Sequence, residues 1–282
     1  MKNFFKKIFA FLCFTLLIQF LIVSLSYLST FIPFYFDKSA GEIVFYNSID
    51  SAFFGDSHSE YGFNDEILRE SSNINYRNLS LSGNATINNI LLLENVLKFN
   101  PDMVVNLSLG DYNVGKSYFM SGISTAENFR HWFPYYSTDD IKDIFTVNKK
   151  ETFQGFLGIV ESMKIHSLGY SNAISRINII QLPPFKKYIV KNYKDLIWFK
   201  KLIKIIDKYP KTNFKIIRTP IHIKVFKENR KFLEMVESLT RKPNVKFYDF
   251  QEIILDDDDF RDFTHLSSKG AKKLSLEYLK RN

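Results

Sequence analysis

The sequence predicts an α/β chain: a three-layer α/β/α domain on a parallel sheet, preceded by one N-terminal transmembrane helix. Three observations lead there. Residues 8–33 contain no charged side chain. After them, short apolar runs alternate with helical patterns of roughly 10–16 residues, the order of βαβ units with a sheet covered on both faces. Finally, the polar residues most able to do chemistry follow directly on the apolar runs, where open α/β sheets meet their ligands.

The first element is the apolar run. About 20 helical residues cross the hydrocarbon layer of a bilayer, so 8–33 is long enough. Lys2, Lys6 and Lys7 precede it and Asp37 follows, which places the N-terminus in the cytoplasm and residues 38–282 outside it. An uncleaved signal anchor over 1–37 is the first reading. A cleaved signal peptide, with Ser24-Leu25-Ser26 as its site, and a buried core helix are the alternatives. In the exported readings Cys13, the one cysteine, stays in the span and the domain has no thiol to oxidise.

Past a connector at 38–50, residues 50–54 read as a short buried strand ending at Gly55. Residues 60–70 suit a helix, 75–81 a second strand, and 85–99 a helix with one apolar face. Asn100-Pro101-Asp102 stops it, and 103–109 is a strand buried on both sides. From 117 to 207 the alternation loosens into a largely helical insertion, with candidates near 138–146 and 186–207 and a break at Pro183-Pro184. It then resumes with a strand at 214–219, a helix at 225–240, a strand at 245–250 and a closing helix at 267–279.

Composition narrows the functions. With 282 residues, 45% of them hydrophobic and 24% charged, the chain is no disordered segment. One cysteine excludes a disulfide framework, and no Cys/His cluster has zinc spacing, so neither metal nor cofactor is called for. Phe 29 and Tyr 15 point to an aromatic core. The net charge of +8 is spread, densest at 186–194 and 200–215. Solvated helix faces explain it, with weak attraction for anionic lipid heads or acidic glycans as the second reading. Export disfavours nucleic acid as a partner.

Three blocks carry chemistry. Gly55-Asp56-Ser57-His58-Ser59 follows the first strand, Asn78 to Asn84 the second, and Asp262-Phe263-Thr264-His265-Leu266 precedes the last helix. A serine hydroxyl needs a base to become nucleophilic, and that base needs an acceptor to fix its tautomer. Ser57 stands where a strand turns toward a helix. His265 can be the base and Asp262 its acceptor, because a tight turn brings residues i and i+3 to one side. Backbone N–H groups of Ser57 and Gly83 could face a developing oxyanion.

In order and content these blocks resemble those of the SGNH (GDSL-type) hydrolase superfamily. The likeness covers residues 51–112 and 214–282, and Gly270 extends the last block. It implies a flavodoxin-like fold, Ser57 as nucleophile, Gly83 as an oxyanion donor, and Asp262 and His265 completing a triad. Members held by one N-terminal helix acylate or deacylate surface polysaccharides. The resemblance therefore implies a membrane-bound enzyme of the cell envelope. Acylated envelope carbohydrate would be its substrate and, for transfer, a membrane-bound acyl donor protein its partner. A fourth block departs. In Gly110-Asp111-Tyr112-Asn113, Asp111 falls where the family has an oxyanion Asn, and an ionised Asp only accepts. Asn113 supplies a donor if the loop shifts by two residues.

Other residues read more plainly. Asp56 shapes the turn, and His58 and Ser59 either touch substrate or cap a helix. His131, His166 and His222 show no partner in sequence and are taken as structural. Asp256 to Asp259 lacks the Gly and Glu of a calcium loop and reads as a solvated loop. Trp132, Phe133, Tyr135 and Tyr136 read as core, with stacking on sugars as the alternative. Three functions stay open: a serine O-acyl esterase or O-acyltransferase on envelope polysaccharide, a catalytically weak or inactive binding component of a polysaccharide modification or export assembly, and a lipid-directed lipase or thioesterase.

Overall fold

The computed structural model describes residues 49–80, 86–110 and 193–282, with scattered residues between 6 and 21. Five short strands, β1 (Ser51–Phe54), β2 (Tyr76–Asn78), β3 (Val104–Ser108), β4 (Phe214–Arg218) and β5 (Val245–Asp249), pair in the order β2-β1-β3-β4-β5. Every pairing is parallel. This is the flavodoxin-like order, whose switch point lies between β1 and β3.

Strand side chains alternate between two cores, as the period of two requires. Ala52, Phe54, Val105, Leu107, Phe214, Ile216 and Val245 face one apolar cluster. It is covered by α3 (Thr86–Phe99), α4 (Ile197–Lys208) and α5 (Arg230–Thr240). Phe53, Tyr76 and Ile217 face the other, under α2 (Asp65–Ser72) and α6 (Ser268–Lys280). This second core is largely aromatic: Phe53 stacks on Phe63 at 4.3 Å and meets the edge of Tyr278 at 5.1 Å. α4 lies inside the stretch read as an insertion, yet its buried Trp198, Phe199 and Leu202 belong to the main core.

One polar seam crosses the aromatic core. Asn106, fully buried in β3, donates to Ser51 Oγ (2.8 Å) and accepts from the Tyr278 hydroxyl (2.6 Å). An apolar core leaves no water to satisfy such groups, so these bonds fix how α6 sits on the sheet.

Several element limits differ from the sequence reading: the strand expected at 75–81 is confined to 76–78, and the helix expected to reach 207 is interrupted at Leu196, with a short turn at Tyr193–Asp195 before α4. The single helix expected at 60–70 is two, α1 (Ser57–Glu60) and α2, separated by a turn through Gly62. The helix expected from 225 begins at Arg230, after a turn at 223–225. Among the described residues no helix is long and apolar enough to cross a membrane. Most of the run 8–33 lies outside them, as do 111–192, with the expected helix at 138–146, His131, His166 and the aromatics at 132–136. Those of residues 6–21 that are described are helical, and Phe9, Phe11, Phe14, Leu17 and Leu21 are exposed.

Candidate active site

β1 ends at the switch point, and Gly55 lets the chain turn there. A Cβ on Gly55 would sit 2.7 Å from Ser59 Cβ and 2.9 Å from Ser108 Cβ, closer than side chains approach. The next residue, Asp56, caps α1 by accepting the His58 N–H at 3.0 Å. Asn78, at the end of β2, clamps the same turn: its amide donates to the carbonyls of Ser59 (3.1 Å) and Phe63 (2.7 Å). Ser57 is thereby held as the first residue of α1, half-buried at the carboxyl edge of the sheet.

The opposite wall is the turn 260–266. Phe260 bridges Leu266, the Arg261 N–H donates to the His265 carbonyl (2.8 Å), and the Ser267 N–H donates to the Asp259 carbonyl (2.9 Å). Ser267 caps α6. Gly270 allows the close fit, since a Cβ there would meet the Asp259 carbonyl oxygen at 2.1 Å.

Across the gap, Ser57 Oγ lies 2.7 Å from His265 Nε2. His265 Nδ1 lies 2.8 Å from Asp262 Oδ2 and 3.0 Å from Oδ1. A carboxylate only accepts, so Nδ1 carries the hydrogen and Nε2 presents a lone pair to the serine hydroxyl. Asp262 also accepts from the backbone N–H groups of Thr264 (2.8 Å) and His265 (2.9 Å) and from the Thr264 hydroxyl (2.9 Å). Burial pushes the Asp262 carboxyl up, but the His265 ring and the Thr264 donors outweigh it and hold the group well below the usual carboxylate range. This is the arrangement that makes a serine nucleophilic.

Ser57, His265 and Asp262 are thus brought together from distant stretches of chain. Gly83, Asp111 and Asn113 lie outside the described residues. Around the three, the structure adds side chains to which the sequence reading gave no role beside His265, although it left contact of His58 with substrate open. The His58 ring stacks on His265 with centroids 4.6 Å apart. The Tyr61 ring meets His265 edge-on at 5.8 Å, and the Arg261 guanidinium lies 4.9 Å from the centre of the Tyr61 ring. Thr264 was visible only as a spacer between Asp262 and His265. A cleft of about 590 Å³ opens beside Tyr61 and Arg261, with Glu60, Asn64, Glu66 and Ser267 among its walls, and Ser57, Asp262 and His265 are not part of its lining.

His222 is structural, as read, and Asp259 alone departs from the solvated loop read for the acidic run. The His222 ring pairs with Asp257 (2.9 Å), and its backbone N–H donates to the Phe263 carbonyl (2.9 Å). Of the four aspartates read as a solvated loop, Asp259 is fully buried and pairs with Lys273 at 2.5 Å. Asp256 and Asp258 pair with Lys273 and Lys269. The segment is a brace beneath the Asp262 turn. Among the described residues no group of three or more His, Cys, Asp or Glu has the geometry to hold a metal ion.

No family model and no curated protein matches the sequence. Among solved structures, the chain is similar to a Streptococcus pneumoniae protein named for platelet activating factor. Identity is 14% over 86% of this chain and 92% of that one, with a TM-score of 0.42. It is also similar to a gut microbial diltiazem-metabolizing enzyme, at 14% identity over 83% of this chain and 46% of that one, TM-score 0.40. A third is a carbohydrate esterase whose active site is described as having divergent catalytic and non-catalytic binding functions. There identity is 10% over 82% of this chain and 64% of that one, TM-score 0.36. These are distant likenesses, and the functional reading stands on the geometry of the site.

Proposed function

We propose that the chain is an SGNH-type serine O-acyl esterase or O-acyltransferase, held at the membrane by the run 8–33 and acting outside the cytoplasm on acylated envelope polysaccharide. The observation that carries this is the continuous line from Ser57 Oγ through His265 to Asp262, at 2.7 and 2.8 Å. As the Ser57 oxygen attacks an ester carbonyl, its proton passes to His265 Nε2, and Asp262 stabilises the imidazolium. The ester C–O bond breaks, the departing alkoxide takes the proton, and the acyl group stays on Ser57. Water or a sugar hydroxyl then gives its proton to His265, attacks the acyl carbon and frees the serine. The cleft beside Tyr61 and Arg261 borders the triad without being lined by it, and its largely polar walls of carboxylates, amides, hydroxyls and guanidinium groups suit a hydroxyl-rich substrate extending from Ser57 better than a lipid chain. Exposed Phe9, Phe11, Phe14, Leu17 and Leu21 on the N-terminal helical residues suit an anchor, which concentrates the enzyme near surface substrates.

A second reading, a non-catalytic binding component, is favoured by Asp111, since loss of one oxyanion donor costs roughly 10²–10³ in rate in other serine enzymes. Intact-protein mass of the full-length chain after exposure to a fluorophosphonate separates the two. The expected result is one adduct on Ser57, absent in Ser57→Ala and in His265→Ala. An unmodified wild-type chain rejects the enzyme reading.

A further inference from the structure

Asp56 and His58, the residues flanking Ser57 in the chain, form a second aspartate–histidine pair beside the first. His58 Nδ1 lies 2.9 Å from Asp56 Oδ1, and because the carboxylate accepts, Nδ1 carries a hydrogen. The buried His58 ring lies nearly parallel to His265, with 21° between the planes. Burial pushes the Asp56 carboxyl up, but the charge and hydrogen bonds of His58, and more weakly the charge of His265, hold it below the usual carboxylate range. One carboxylate therefore acts on both rings.

This bears on the step in which His265 takes the serine proton. The imidazolium so formed presents its face to His58. A neutral His58 offers a π-face to that cation and stops the ring from tipping out of the Ser57–Asp262 line. A protonated His58 sets a like charge against it and opposes the transfer. The other groups around the two rings are Asp262 and Arg261 on the facing turn, and Glu60 and Tyr61 following His58.

We propose that His58, held by Asp56, is a positioning residue that fixes the plane of His265 through the flat face it lays against that ring. The proposal rests on the serine-nucleophile reading.

The test is the rate at which a fluorophosphonate labels the full-length chain at a fixed pH of about 8. His58→Ala, which loses the wall, is expected to label roughly ten- to a hundredfold more slowly than wild type, the scale of a misplaced catalytic group. His58→Phe puts a flat ring back against His265 and is expected to label several-fold faster than the alanine variant. His58→Gln keeps a donor to Asp56 without the ring and is expected to stay as slow as alanine. A phenylalanine variant no faster than alanine would overturn the role of the ring face. An alanine variant as fast as wild type would overturn the positioning role. Absence of any wild-type adduct removes the serine-nucleophile reading itself, and the role of His58 falls with it.

Discussion

His265 and His222 sit on either side of the same turn, each with a ring nitrogen within 3 Å of an aspartate, yet their surroundings leave them different capacities. Asp262 is mostly covered, with 19% of its side chain exposed, whereas Asp257 is 80% exposed. The second nitrogen of His265 faces the Ser57 hydroxyl. The second nitrogen of His222 accepts the Lys224 N–H at 3.2 Å, and its ring is wedged edge-on against Phe260 and Phe263. The His222 ring nitrogens are both occupied, one by a carboxylate and one by backbone, so it can brace the turn but cannot take a proton from a serine. An Asp–His pair is therefore not a site by itself; the nitrogen left over decides.

The largest difference between the two pairs should appear when each loses its carboxylate charge. Asp262→Asn keeps the shape but lets the His265 tautomer reverse, and by analogy with other serine triads the labelling rate should fall by about 10⁴-fold. Asp257→Asn should stay within about twofold, since exposed ion pairs contribute little. Equal losses in the two variants would break the distinction. Acid sensitivity has a sign that separates the groups further. The folded-state pKa of Asp262 lies below its ordinary 3.8, so the stability it contributes is complete above about pH 4 and fades only as the medium grows more acidic still. Asp262 therefore stays charged, and keeps orienting His265, down to about pH 4.

Much of this was legible in the chain. Strand positions could be read because β1, β3 and β4 are mostly buried on both faces and so appear as short, mainly apolar runs broken only by Ser51, Asn106, Ser108, Lys215 and Arg218. The turn carrying Asp262 and His265 was legible from their spacing of three. What stayed hidden depends on contacts between distant segments. Nothing local marks His58 as the residue that stacks on a ring 207 positions away. Asp259 has the same neighbours in sequence as three exposed aspartates, and only the packing of α6 over its carbonyl buries it. Residues 60–70 misled because two local signals were passed over: Gly62 breaks the helix and Asn64 caps α2, while Asn78 clamps the carbonyls at 59 and 63 and holds the turn between α1 and α2.

The brace beneath the turn offers a middle-sized test. Gly270→Ala places a methyl group 2.1 Å from the Asp259 carbonyl oxygen. Either α6 or the turn must shift. Overpacking of this kind costs about 1–3 kcal/mol, which should lower the thermal midpoint and slow labelling together. A lower midpoint with an unaltered labelling rate would show that the turn holds its shape without α6.

The smallest effect lies on the far side of Tyr278 and sharpens the contrast by reversing it. Asp262 is pushed toward neutrality by burial and rescued by donors. Lys215 is pushed the same way, and its partners are the Tyr278 hydroxyl at 3.4 Å and the Asn282 side-chain oxygen, both uncharged. Burial first, and then the charge of Lys246, lower it from 10.5 to about 8. Between those two values the unfolded chain binds more protons at this position than the folded one, so its contribution to stability rises with pH across that window. Tyr76 and Tyr278, held above their ordinary 10 chiefly by burial, act in the opposite sense once the unfolded phenols begin to ionise. The lysine is therefore read most cleanly from about pH 8 to 10. Denaturant melts of wild type and Lys215→Met across that range should show the wild type gaining on the variant as pH rises. A constant difference would mean that the two tyrosine rings near its ammonium group, at 5.4 and 5.7 Å, stabilise the charge as fully as a carboxylate would.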